Sequence, residues 1–290
     1  MAFDQATVER DVRPPGTYRF PPLGRDGLVR RRGPGVVRLL HHDGEPVVVG
    51  VLPRAGSVRL CARARTRLAA CWGIDRMRFA LALDHDPAPF QRRFVRDPLV
   101  GPVIHRRPWL RPWRSPEPYQ ALAWAVCEQL IESVRAAAIQ RRLVWRYGRV
   151  SECATLRDAP SAEAMAGRAP AELQACDLSA GRALALVKVS REVARGLADL
   201  EQEEPTWRRL RRISGIGSWT LEKLAFHGQG RDDQLPAGDL AYVKLVGALA
   251  RLGRRATEDE VREFFAPYAP YQALAGLYAL KAPRPAVARW

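Results

Sequence analysis

Closely spaced cysteines are missing from this chain: Cys61, Cys71, Cys127, Cys153 and Cys176 are scattered and odd in number. That pattern excludes a paired-cysteine metal knuckle and argues against the disulfide framework of a small secreted domain. His41, His42, His85, His105 and His227 are equally dispersed, so no zinc site is expected. No run of eighteen apolar residues occurs, and the opening MAFDQATVERDVRPP has no apolar core of the signal-peptide type. A soluble, cytoplasmic protein is expected. Lysine is scarce too: Lys188, Lys223, Lys244 and Lys281 are the only lysines among 47 cationic residues, the rest being arginine. Acidic residues number only 31, leaving a net charge of +16 and a pI near 10.6. Such a field favours a polyanionic partner and salt-dependent association. GC-rich coding would account for part of the arginine, alanine and proline excess.

The most informative stretch present is LRRISGIGSWTLEKLAFHGQGRDDQLPAGDLAYVK, residues 210–244. Leu210 and Ile213 lead into Ser214-Gly215-Ile216-Gly217, after which Trp219, Leu221, Leu224 and Ala225 resume a helical apolar stripe. Glycines on both sides of one isoleucine open backbone angles closed to other residues and keep side chains away from a large ligand. Backbone N–H groups at the start of the second helix would suit a phosphate, gripping DNA without reading its bases. An ordinary helix–turn–helix corner, its glycines serving only close packing, fits the same pattern.

Pro236-Ala237-Gly238 forces a turn, and Asp239 comes directly after it, before the apolar helix begun by Leu240, Tyr242 and Val243. At that place Asp239 is either a plain N-cap or a carboxylate presented for chemistry. It stands twenty residues after Trp219. Hairpin, turn and aspartate together resemble the helix-hairpin-helix, Gly/Pro…Asp signature of base-excision DNA glycosylases. The resemblance implies that Asp239 is the catalytic carboxylate. It also implies DNA contacts from Gly215, Ile216, Gly217, Ser218 and Thr220, with Arg211 and Arg212 of the basic run 208–212 leading into the hairpin.

Within that superfamily, members that also cut the DNA backbone carry a lysine amine two residues after the second hairpin glycine. This chain has Trp219 there, and an indole cannot form the Schiff base, so a monofunctional enzyme using water is implied. Trp219 is similar to the aromatic pocket residue of the 3-methyladenine DNA glycosylase II, or alkylbase, branch. A cationic alkylated base over an indole face would gain roughly 0.5–2 kcal/mol. A core role for Trp219 is the competing assignment. Upstream, residues 120–148 read as a long helical segment resembling the first helical pair of the glycosylase core. The resemblance places Gln129 and Leu130 as the residues that fill the gap left by a flipped base; periodicity alone would file Leu130 in the core. Glu128 and Glu132 depart from the family's small and hydroxyl residues, and two acids beside a DNA-facing loop would repel phosphate unless a basic partner compensates. Lys223 stands where relatives carry a pocket aromatic, and Tyr268 where they carry a tryptophan. Ala269 and Pro270 replace the arginine and serine that come after it.

Residues 35–40, 46–51 and 56–61 look like strands, the first two joined at Asp43-Gly44, with a helix after them over 65–71. The expected architecture is mainly α with an N-terminal α+β domain: residues 1–112 with an antiparallel sheet, then 113–290 as a helix-hairpin-helix DNA glycosylase fold. In that fold two helical subdomains flank a cleft, with the hairpin at about 207–226 and the aspartate loop at about 232–244. No cysteine comes after Asp239, so the iron–sulfur cluster of some relatives is not expected; hairpins of this type can hold a structural monovalent cation, and no other cofactor is implied. The implied partner is double-stranded DNA with damaged bases, bound by a monomer, with no membrane. The alternatives are a noncatalytic DNA-binding or damage-sensing protein, or a glycosylase for oxidised, mismatched, neutral or bulky lesions.

Overall fold

Asp43 and Gly44 adopt φ of 49° and 81°, the left-handed pair that a two-residue hairpin needs. They join β3 (Gly35–His42) to β4 (Glu45–Arg54), with His42 opposite Glu45. A computed structural model describes residues 6–151, 155–202 and 204–283; Cys153 lies outside the described residues. β5 (Ser57–Ala64) falls where expected. Two strands that the sequence pattern did not reveal, β1 (Ala6–Val12) and β2 (Val29–Arg32), complete an antiparallel sheet of order β1-β5-β4-β3-β2. Both are edge strands rich in charge, and edges tolerate charge because one side of the ladder is unpaired.

The helix expected over 65–71 is α1 (Arg67–Ala80), capped by the Thr66 hydroxyl, which accepts the Ala69 N–H at 3.2 Å. It seats tightly on the sheet: a Cβ at Gly73 would stand 2.5 Å from a Val47 methyl. The remaining chain is helical: α2 (Ala88–Phe94), α3 (Gly101–Arg106), α4 (Pro118–Glu128), α5 (Ser133–Tyr147), α6 (Ala162–Ala166), α7 (Pro170–Gln174) and α8 (Ala180–Ala194). Next come α9 (Glu204–Leu210), α10 (Ser218–Leu224), a π turn (Ala225–Gln229), α11 (Leu240–Leu249), α12 (Glu258–Phe265), a 3-10 turn (Ala266–Tyr268) and α13 (Gln272–Ala279). The long segment read over 120–148 is therefore two helices, broken where Gln129 extends and Leu130 turns left-handed.

Buried apolar side chains form three main cores. The sheet and α1 share one around Leu60 and Ile74. Helices α4 to α10 share a second around Leu122, Ile139 and Leu221. A third joins α11, α12 and α13 around Tyr242, Phe265 and Tyr278. Phe90 of α2 and Ile104 of α3 belong to this third core. By packing, the chain before residue 112 thus supplies two helices to the C-terminal unit, and the expected boundary at 112 cuts through that core. The junction of sheet and second core is polar: His41 Nδ1 meets Asp158 at 3.0 Å, Arg149 donates to the same carboxylate at 2.7 Å, and Arg38 donates to Gln120 at 2.5 Å.

Candidate active site

The hairpin between α9 and α10 is built as its glycines require. Gly215 has φ of 89°, a left-handed angle that a side chain would strain, whereas the buried Ile216 anchors the loop in the second core. Gly217 is the N-cap of α10 with an ordinary φ of −101°, and a Cβ there would meet nothing within 4 Å. Protein packing does not ask for glycine at that position, which lies exposed at the surface. Arg211 and Arg212 are exposed just before the loop.

Asp239 is the N-cap of α11, its Oδ1 accepting the Ala241 N–H at 2.9 Å. The other oxygen, Oδ2, accepts the indole N–H of Trp219 at 3.3 Å. The cap fixes the carboxylate while its second oxygen faces the hairpin helix. The turn before it closes through the Asp239 N–H, which donates to the Pro236 carbonyl at 2.9 Å. Glu222, missed by sequence reasoning, accepts the Ala237 N–H at 3.2 Å and the Arg262 guanidinium at 2.7 Å. Burial pushes the Glu222 carboxyl up, and Arg262 opposes the shift. Glu258, also paired with Arg262, accepts the Ser218 hydroxyl at 2.7 Å; that bond and Arg262 hold its carboxyl below the usual range. A charged residue between Leu221 and Leu224 on a buried face was the one sequence signal for Glu222.

The break between α4 and α5 faces the same hairpin. Gln129 donates one amide N–H to the Gly215 carbonyl at 2.7 Å and one to the Thr220 hydroxyl at 2.9 Å. Leu130 comes next with φ of 56° and a relative exposure of 104%, so it projects from the surface and is no part of the core. Holding leucine in this region is unfavourable.

Two helical units meeting at a hairpin, a capped aspartate and an exposed apolar turn agree with what the comparisons find. The model of the HhH-GPD superfamily of base excision DNA repair proteins matches residues 123–270. The chain belongs to that family. It is 30% identical over 189 residues to DNA-3-methyladenine glycosylase 1 of Schizosaccharomyces pombe, covering 63% of this chain and 79% of that one. Among solved structures it is similar to a 3-methyladenine DNA glycosylase from Archaeoglobus fulgidus, with a TM-score of 0.75, 23% identity and coverage of 87% of this chain and 88% of the other. A Schizosaccharomyces pombe 3-methyladenine DNA glycosylase in complex with abasic DNA aligns with a TM-score of 0.53 at 29% identity, covering 71% and 95% respectively.

Not every residue expected at this HhH-GPD site reaches it. Thr220 is buried and clamps Gln129, so its hydroxyl is not offered to a phosphate. The Ser218 hydroxyl is likewise committed to Glu258. Tyr268 packs in the third core against Phe94 and Phe265, with its hydroxyl donating to Asp97 at 3.1 Å, and is not gathered beside Trp219. Lys223 does reach the site. Its ammonium lies 5.6 Å from the centre of the Trp219 ring and 2.9 Å from Glu128, so two departures from the family pattern compensate one another. Glu132 is exposed at the N-cap position of α5. Two cavities of about 620 and 690 Å³ lie elsewhere, one lined by Tyr18, Trp109 and Trp113, the other by Trp72, Glu117 and Arg149.

Proposed function

We propose that this chain is a monofunctional DNA glycosylase of the alkylbase branch, which turns a damaged base out of duplex DNA and hydrolyses its N-glycosidic bond. The observation that carries the reading is Asp239, fixed as a helix cap with its second oxygen against Trp219 and beside an open glycine hairpin. The names of the relatives support it, as does the abasic DNA bound by the neighbour of 29% identity, since abasic DNA is the product of this reaction.

Binding begins with the arginine-rich surface and the backbone of Gly215 and Gly217, which meet phosphates without selecting sequence. Leu130 enters the stack as the base leaves it, and Gln129, tied to the hairpin, keeps that wedge in register with the phosphate grip. As the bond to the base lengthens, positive charge grows on the sugar. The Asp239 carboxylate opposes it and takes a proton from the attacking water. Trp219 walls the base and offers no amine, and the amine one helical turn on, that of Lys223, is paired with Glu128. Water is then the nucleophile, and the DNA backbone stays intact. The chemistry calls for no cofactor. A monovalent cation at the hairpin would share carbonyls already in use, that of Gly215 by Gln129 and that of Gly217 by Leu221. With no cysteine after Cys176, we assign no iron–sulfur cluster; action as a cytoplasmic monomer on damaged duplex DNA completes the reading.

Single-turnover base release from duplexes carrying 7-methylguanine or hypoxanthine, with native chain and Asp239→Asn, tests this reading. Release by the native chain, intact abasic product and a loss of at least a thousand-fold in the variant with duplex binding retained are expected. Duplex binding without release by either protein would favour a damage sensor; strand cleavage would overturn the monofunctional assignment.

A further inference from the structure

The pairing of Lys223 with Glu128 beside Trp219 is more than charge balance. Lys223 sits one turn after Trp219 on α10, and its side chain is only 14% exposed. Its ammonium carries three N–H donors; Glu128 takes one at 2.9 Å. Glu128 is itself fixed by Gln140, which donates to its other oxygen at 3.2 Å. The ammonium is therefore held in place, largely out of water, over the indole face at 5.6 Å. Trp219 also donates from its edge to Asp239, the group that must meet the sugar. Trp219 thus has the Asp239 carboxylate at its edge and the Lys223 ammonium over its face.

We propose that Lys223, positioned by Glu128, is a specificity-determining residue that donates to the departing base and favours neutral purine lesions over cationic ones. The inference rests on the glycosylase reading of this site. Two physical points support it. A cation already occupies the attraction of this indole face, so a cationic base gains less from stacking there and meets like charge. A neutral purine, by contrast, departs carrying the bonding electron pair as a developing anion, and a fixed ammonium in a partly dry site stabilises that charge.

The step balances. The oxygen of water bonds to the sugar carbon as the carbon–nitrogen bond breaks, and the bonding pair leaves with the purine. One water proton passes to Asp239. The purine takes its proton from the Lys223 ammonium, which is restored from solvent as Asp239 releases its own. A lesion that is cationic before cleavage leaves as a neutral base and needs no such donor.

The test is the ratio of hypoxanthine to 7-methylguanine release under single-turnover conditions, because a common structural loss cancels in a ratio. Native chain, Lys223→Met, Lys223→Gln and Lys223→Arg are compared on matched duplexes. The ratio is expected to fall at least ten-fold in the methionine and glutamine variants and to stay low in the arginine variant, whose guanidinium supplies charge and hydrogen bonds but gives up no proton. An equal loss on both bases would reduce Lys223 to a structural residue and overturn the proposal, as would release of 7-methylguanine but not hypoxanthine by the native chain. Absence of release from either duplex by the native chain would instead remove the glycosylase reading, and this inference with it.

Discussion

The buried carboxylate of Glu222 accepts the N–H of Ala237 at 3.2 Å, so the turn that carries Asp239 hangs from the helix that carries Trp219. Trp219 and Glu222 are three residues apart on α10, one touching the Asp239 carboxylate and the other its supporting backbone. The hairpin helix thus fixes the distance between the glycine hairpin and the Asp239 carboxylate. Glu222→Ala would leave the Ala237 N–H and the Arg262 guanidinium without their buried acceptor, a loss of about 3–5 kcal/mol for a broken buried ion pair. Glu222→Gln keeps one acceptor oxygen and should lose less. Base release is expected to drop at least ten-fold in the glutamine variant while duplex affinity moves less than three-fold, measured by single-turnover rates and anisotropy titration. A parallel fall in affinity would mean that Glu222 holds the hairpin and not the Asp239 turn.

Asp239 serves as cap and proposed catalyst at once, and two substitutions separate the roles. Asparagine caps helices as well as aspartate does, whereas alanine removes the cap at a cost of typically ~1 kcal/mol. Asp239→Asn should therefore melt within about a degree of the native chain, and Asp239→Ala a few degrees lower, on the order expected for a chain of this size. Both should be inactive. Activity in the asparagine variant would leave Asp239 as a cap and nothing more.

Leu130 makes the opposite trade. Its left-handed φ of 56° is an angle at which glycine carries no penalty, and its side chain is fully exposed. Leu130→Gly should not lower the melting temperature, yet base release should fall by about ten-fold or more as the wedge against re-stacking disappears. Thermal melts beside release rates on one duplex check both halves. A clear loss of stability with unchanged release would return Leu130 to an ordinary structural role.

The parts of the site that sequence revealed are those fixed by local backbone rules. Gly215 needs a left-handed angle, Pro236 through Gly238 must turn, and Asp239 must cap the helix begun by Leu240, so each leaves its mark within a few residues. The break after Glu128 was legible through the family resemblance, although periodicity ran the helix straight across it. Pairings between distant segments stayed hidden: Glu222 with Arg262, Ser218 with Glu258, and Lys223 with Glu128. No periodicity encodes a partner so far along the chain, and the last pair read as two unrelated anomalies until folding joined them. Tyr268 failed for a related reason, since an aromatic before a helix looks the same whether it lines a pocket or, as here, fills a core. In the N-terminal domain β1 and β2 escaped notice because charged edge strands lack alternation.

Away from the site, Glu117 at the N-cap of α4 is expected to make the stability of the fold depend on pH. Burial, with Asp158 adding to it, pushes its carboxyl from an ordinary value of 4.5 to about 7, while Arg149, Arg38 and Arg76 pull the other way. Between those two values the folded chain keeps a proton that the unfolded chain releases, so stability falls as pH rises from 4.5 to about 7 and is flat for this group beyond. Glu117→Gln removes the titration while keeping the shape. Its melting temperature relative to the native chain should therefore be higher at pH 8 than at pH 5, by several degrees if each pKa unit is ~1.4 kcal/mol and each kcal/mol is roughly 2–4 °C. Calorimetric melts of both proteins at the two pH values decide the matter. A difference that stays constant, or that grows toward pH 5, would mean that the arginines around Asp158 hold Glu117 ionised throughout.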